Sequence, residues 1–449
     1  MTTAPASYPL LLSYSNPMES TRYETILGSH PYAAASRAAR RTQRVYSARE
    51  AAIRDVAAGV AGPALVGYVH WVIREVRSRG LQRLRFLSRD GQVLYELARR
   101  IAPDLDLEYV HGSRMTWSLA TSNADCLSSA EWLFITFIKS NALDVCARLG
   151  LPYADFRDAL VESGASLDPS VRAGDPMQLA ALKRFVDRPD VAEAVRPRIA
   201  RMRWLVRDYA AQHRLDTATT GLVDSGWTGR MISSLIKVCE AEGGQRPHVL
   251  FWGHEPRTTG WTDPARVTAF VYNTVLHEGL QWRVPDAPFI VETFCMADHG
   301  IVAGYESDAD GRVGVILQSE NNTEAKDWGI DLYRATLYAF CDNQQPSDGE
   351  VRPLIHNVMK AFWLHPTKAE AQAWGSYNYD TDPAGTAAGM LARPFTTGDA
   401  LTGFARRYLD RGGRAWLPGS AAMSNPLARL AHRLFTPAAE RIGAPGATD

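Results

Sequence analysis

Cysteine is scarce in this chain: Cys126, Cys146, Cys239, Cys295 and Cys341 are the only five among 449 residues. They are odd in number and scattered, with no CxxC pair and no Cys/His cluster at zinc spacing. That argues against a disulfide framework or a structural zinc and favours a reducing compartment. Net charge is missing too, since 49 basic residues balance 49 acidic ones. A neutral chain has no global pull on nucleic acid or anionic membrane, so no nucleic-acid partner is expected and any anion site must be local. Long apolar runs are absent as well. The most apolar window, Ala64 to Ile73, is too short to span a bilayer and contains His70. Met1 to Pro9 lacks the basic and apolar regions of a secretory signal. No transmembrane segment and a cytoplasmic location are therefore expected. Walker A, GxGxxG, internal repeats and low-complexity runs do not occur.

What is present is ordinary globular material, 46% hydrophobic and 22% charged, enough to build a core over two or three domains. Residues 1–47, rich in Ser, Pro, Tyr and Arg without clear period, read as an extended N-terminal arm. Ser47 looks like an N-cap for a helix over 48–60, with Glu50 at its third position, and Gly62-Pro63 reads as a break. Helical spacing resumes from Ala64 to Arg79 and stops at Gly80. Leu84 to Leu87 then reads as a strand, Gln92 to Ile101 as a helix and Leu105 to Val110 as a second strand, which makes a βαβ unit. The alternation lapses over 116–217, where helical periods dominate and suggest an insertion. It returns with strands at Thr219 to Asp224 and His248 to Trp252, a helix at Gly229 to Glu242 between them, and edge strands at Val267 to Tyr272 and Gly314 to Leu317. Helices dominate over 321–437, and 438–449 reads as a disordered tail. The fold class is α/β: a Rossmann-like parallel sheet built from 48–115 and 218–320, with a helical insertion and a helical C-terminal region.

Ligands of open α/β sheets bind beyond the carboxyl ends of the strands, and three such ends carry polar turns here. In Ser88-Arg89-Asp90-Gly91, Gly91 permits a tight turn and Arg89 offers a planar fork suited to phosphate. Asp224-Ser225-Gly226-Trp227-Thr228-Gly229-Arg230 places an acid before a loop that opens a helix. Helix-start N–H groups and the helix dipole make an anion site there, and the acid can accept from sugar hydroxyls. The third end is Ser113-Arg114. An ordinary surface turn and an ordinary capped helix are the plainer readings of the first two. Glu292 stands among apolar residues in Phe289 to Phe294 and needs a partner. His111, His254 and His299 make no ligand spacing. Trp363, Trp374, Tyr377 and Tyr379 read mainly as packing.

Phe86-Leu87-Ser88-Arg89-Asp90-Gly91 and Asp224-Ser225-Gly226-Trp227-Thr228-Gly229 resemble motifs of the glycan phosphoribosyltransferases of bacterial polysaccharide synthesis, which are similar to type I phosphoribosyltransferases. Ser113-Arg114 looks like a third family feature, and Glu292 with Gly304-Tyr305 a fourth. The likeness spans about residues 48–380. It implies transfer of ribose 5-phosphate from phosphoribosyl diphosphate (PRPP) to a hydroxyl of a glycan or small molecule, with Mg²⁺ as cofactor and a separate phosphatase acting on the product. Arg89 and Arg114 would hold the diphosphate, Thr228-Gly229-Arg230 the 5-phosphate and Asp224 the ribose diol. Asp90 would be base or metal-water contact, with Glu292 as second choice for the base. Nucleotide-type enzymes of this kind have two adjacent acids where this chain has Asp224-Ser225. A haloacid-dehalogenase-type phosphohydrolase acting through Asp90 is the enzyme alternative, although Ser88 stands where its nucleophilic Asp would lie. A non-catalytic sensor or scaffold is the other.

Overall fold

Thr21 and His30 cap two short helices, α1 (Arg22–Leu27) and α2 (Pro31–Thr42), their side chains accepting from Glu24 N–H and Tyr32 N–H. The computed structural model describes residues 20–134, 140–256, 263–284, 287–345, 350–380, 388–395 and 416–435. The expected extended arm is thus corrected over 22–42. Tyr23, Leu27, Tyr32, Ala35 and Ala39 recur at helical spacing and are buried in the main core. Low hydropathy had hidden this face, because small residues and arginines make up most of α2.

Ser47 caps the next helix as expected, its Oγ accepting from Glu50 N–H at 3.1 Å. The expected break at Gly62-Pro63 is not there. α3 (Ala48–Val56) runs through a π turn at Ala57–Ala61 directly into α4 (Gly62–Arg79). Pro63 occupies the first turn of α4, where its missing N–H costs little. Gly80 ends α4 in the left-handed conformation. The continuous helix Ala48–Arg79 is long and apolar enough to cross a membrane, yet it is mostly buried inside the protein.

The sheet follows: β1 (Arg83–Leu87), α5 (Gly91–Ile101) and β2 (Asp106–Val110). After α6 (Arg114–Thr121), α7 (Ala142–Leu149), α8 (Arg157–Glu162), α9 (Pro176–Val186) and α10 (Pro189–Gln212) come β3 (Thr220–Trp227), α11 (Arg230–Ala241), β4 (His248–His254) and β5 (Val267–Asn273). All pairings in this sheet are parallel, in the order β2-β1-β3-β4-β5. The fold is α/β with a Rossmann-like arrangement. α12 (Ala287–Phe294) precedes a hairpin, β6 (Val302–Ser307) and β7 (Val313–Leu317). Residues 314–317, expected at the sheet edge, pair only with β6 and stand apart from the main sheet.

Alternation along the strands sorts the layers. Val223 and Leu250 face a core shared with α1–α5, with α13 (Thr323–Trp328), α14 (Ile330–Asn343) and with α15 (Arg352–Trp363). Leu222, Val249 and Phe251 face α6, α10 and α11. The expected insertion has its own core, from Leu119 to Ile199. Beyond α15 come α16 (Lys368–Gly375), a short hairpin of β8 (Asn378–Asp380) and β9 (Ala388–Met390), then α17 (Leu417–Met423) and α18 (Pro426–Phe435). Trp363 and Trp374 are buried in the main core, Trp363 stacked on Trp416 at 4.9 Å. Tyr377 is buried as well, while the Tyr379 side chain and the expected tail 438–449 lie outside the described residues.

Candidate active site

The chain steps from β1 outward to β2, then returns across β1 to β3 and continues the other way to β5. The direction therefore reverses between β1 and β3, and the crevice beyond their carboxyl ends is where doubly wound sheets bind ligands. Both glycine-bearing turns open there. The β1 turn is tight: a Cβ on Gly91 would come within 2.6 Å of the Phe86 carbonyl carbon. The Ser88–Arg89 peptide is cis. Ser88 ties this turn to the β2 end, its Oγ donating to Gly112 O at 2.9 Å and accepting from Gly112 N–H at 3.1 Å.

The two turns are joined directly. Asp90 precedes α5 without capping it, and its carboxylate accepts a hydrogen bond from Ser225 Oγ in the β3 turn. The position that lacks a second acid thus carries a hydroxyl that engages an acid from the neighbouring turn. Asp224 and Asp90 form the carboxylate pair instead. Asp224 is held by its own turn, because Gly226 and Ser225 N–H donate to its carboxyl. From below, the fully buried Tyr68 hydroxyl reaches Asp224 O at 2.9 Å and Leu250 O at 2.7 Å. Glu292 arrives on α12, packed near β3.

These acids act on one another. Burial, the Glu292 and Asp224 charges push the Asp90 carboxyl up to about 8, against the Ser225 hydrogen bond and Arg89. Burial pushes Asp224 up to about 7, opposed by the Gly226 and Ser225 N–H groups, with Glu292 adding and Arg114 subtracting. Folded protein then keeps protons that the unfolded chain releases, so stability from these groups falls as pH rises from about 4 to about 8. Asp224→Asn in ligand-free protein should raise Tm over the parent by roughly 2 °C at pH 8 and by nothing resolvable at pH 4. A Tm difference that stays constant from pH 4 to 8 would show that this carboxyl is not protonated.

Arg114 opens α6 at the β2 end, exposed, while Ser113 is buried and caps α6 by accepting from Thr116 N–H at 3.2 Å. Ser113, expected to contact substrate, thus uses its side chain as a cap. On the other side of the crevice, the left-handed Gly229 precedes α11 and no side chain caps that helix. Thr228 and Arg230 flank it, Arg230 facing Glu131 at 3.5 Å. Trp227 is left-handed itself, its ring 6.2 Å from that of Tyr272. Gly226 sits at φ +103°, and a Cβ there would meet Gly253 O at 2.3 Å. Gly226→Ala should cost roughly 3 kcal/mol in chemical denaturation, from backbone strain plus the clash.

Sequence reasoning left His111 and His299 unassigned, yet they meet here, ring centres 5.3 Å apart. Tyr109 Oη lies 2.7 Å from His299 Nε2, and burial, then the His299 and His213 charges, lowers His111 to about 4. Gln92, Asp298 and Arg334 lock the first turn of α5: Arg334 donates to Asp298 Oδ2 at 2.8 Å and Gln92 Nε2 to Asp298 Oδ1 at 2.6 Å. His111 lies directly after a strand in a Gly-Ser-Arg turn, which was the available signal. Nothing local marks the others, since their partners are distant in sequence. His254 is buried at the β4 end, near Asn273.

Among the described residues no three His, Cys, Asp or Glu side chains form a metal cage. Hard oxygen ligands are nonetheless present in Asp90, Asp224 and Glu292, and Mg²⁺ ordinarily takes one or two carboxylates plus phosphate oxygens rather than a protein cage. The residues fit a cation shared with a bound phosphate. No family model matches this chain, and a search of curated proteins finds no match either.

Proposed function

We propose that this chain transfers ribose 5-phosphate from PRPP to a hydroxyl of a glycan or small molecule, releasing diphosphate, on a fold of the type I phosphoribosyltransferase kind. The observation that carries the reading is the Asp90–Ser225 hydrogen bond, because it unites an arginine-bearing turn and an uncapped helix start around one set of acids. Arg89 and Arg114 neutralise the diphosphate as it leaves. The N–H groups that open α11 receive the 5-phosphate. Asp224, oriented by the Gly226 and Ser225 N–H groups, accepts from the ribose hydroxyls. Mg²⁺, when bound beside Asp90, supplies charge to the diphosphate oxygens. Positive charge that builds on the anomeric carbon faces the carboxylates of Asp224 and Glu292.

Burial and the neighbouring acids raise the proton affinity of Asp90, so its ionised form suits a base that takes a proton from the acceptor hydroxyl. Ser88 stands where a dehalogenase-type nucleophilic Asp would lie, which weakens the phosphohydrolase alternative. α6 and α10 of the helical insertion flank α11, and the Arg230–Glu131 pair brings the insertion to the crevice rim. That position suits an acceptor wall.

Incubation with PRPP and Mg²⁺ tests the reading. Diphosphate release that requires an added hydroxyl acceptor supports transfer. Orthophosphate release supports hydrolysis, and saturable PRPP binding without turnover supports a sensor.

A further inference from the structure

A second cleft lies at the opposite end of the helices that frame the crevice. Its volume is about 560 Å³, within the range of small-molecule sites. α5 begins at Gly91 in the first turn and ends at Ile101 in this cleft, about 15 Å away at 1.5 Å per residue. α14 makes the same span, with Arg334 gripping Gln92 at one end and Asp342 lining the cleft at the other.

Charge in the cleft is lopsided although the chain as a whole is neutral. Arg74, Arg77 and Arg100 line it against a single acid, Asp342. Asp342 stands 3.6 Å from Arg100, and Arg77 reaches Asp104 at 3.2 Å. Arg74 has no ion-pair or hydrogen-bond partner among the described residues. Burial keeps the His70 imidazole neutral, and its Nε2 lies 3.1 Å from Gln344 Oε1. Ile73, Ile101 and Val351 supply apolar walls. Arg77 and Arg100 already face acids, Arg100 meeting Glu96 at 3.6 Å as well, so Arg74 is the cation left over; with forked donors and apolar walls it describes an anionic group attached to a hydrophobic body. A phosphate monoester carries close to two negative charges at pH 7, and guanidinium forks match its oxygens in pairs.

We propose that this cleft is a second binding site, for a small organic phosphate monoester with an apolar body, held by Arg74, Arg77 and Arg100. The assignment stands independently of the chemistry in the crevice.

Titration calorimetry of the full chain with 1-naphthyl phosphate tests it, because that compound contains no ribose. Binding is expected with Kd at or below about 100 µM. Arg74→Glu and Arg100→Ala should each weaken it by about tenfold or more, the scale for losing a charge-assisted contact. Arg89→Ala, in the crevice, should leave it unchanged. Three results would overturn the site: no saturation by about 1 mM, equal affinity in Arg74→Glu, or loss in Arg89→Ala alone. Equal affinity for 1-naphthol would remove the anion recognition, and equal affinity for inorganic phosphate the apolar walls.

Discussion

Arg89→Ala should lower PRPP-dependent turnover by roughly 10²–10³, the usual scale for removing one preorganised donor from developing charge. Arg89 sits in the turn beyond β1, half-buried at the crevice, where its charge lowers the Asp90 carboxyl and bears on His299. The turn is held without it, through Ser88 on Gly112 and Asp90 on Ser225. The far-UV spectrum and Tm should therefore match the parent. Steady-state diphosphate release measures the effect, and near-parental turnover in a folded variant would remove the diphosphate assignment. Arg89→Lys separates geometry from charge: a partial recovery is expected, because lysine restores the charge but lacks the planar fork.

Glu24→Ala should destabilise the protein by about 3–5 kcal/mol, the cost of breaking a buried ion pair from one side. Glu24 is fully enclosed on α1 and accepts from Arg40 at 2.9 Å, which is itself almost completely buried, and from Arg37 at 3.2 Å. Arg40 also holds Asp55 at 3.0 Å, and Asp55 takes Arg54 at 2.8 Å, so the network staples α1 and α2 to α3. Denaturant midpoints would measure the loss. Glu24→Gln should recover part of it by keeping the hydrogen bonds. A change below about 1 kcal/mol for Glu24→Ala would mean that α1 and α2 contribute little to the fold, as an arm would.

That network also explains why residues 22–42 misled a reading of hydropathy. Tyr23, Leu27, Tyr32, Ala35 and Ala39 were spaced correctly, but Glu24 and Arg40 look like surface residues until they are seen paired. By contrast, β1, α5, β2, β3, α11 and β4 were legible because apolar runs end in Gly-bearing polar turns. The same signal located Asp90 and Asp224 in one crevice. Their coupling through Ser225 was not legible, since it joins positions 135 apart in the chain. Nor was the separation of β7 from the main sheet, because pairing partners leave no local trace in a five-residue apolar run.

The continuous helix Ala48–Arg79 has a consequence for biosynthesis. Its late cover comes from α14, α15 and α16, and α16 ends at Gly375, some 300 residues after Arg79. At about 5–20 residues per second, translation leaves that apolar rod without its partners for on the order of 15–60 s. The nascent chain must shelter it meanwhile, against a chaperone or against β1 and α5 as they emerge. Slow decoding ahead of α14 would lengthen the exposure, whereas the same delay after α16 would be harmless.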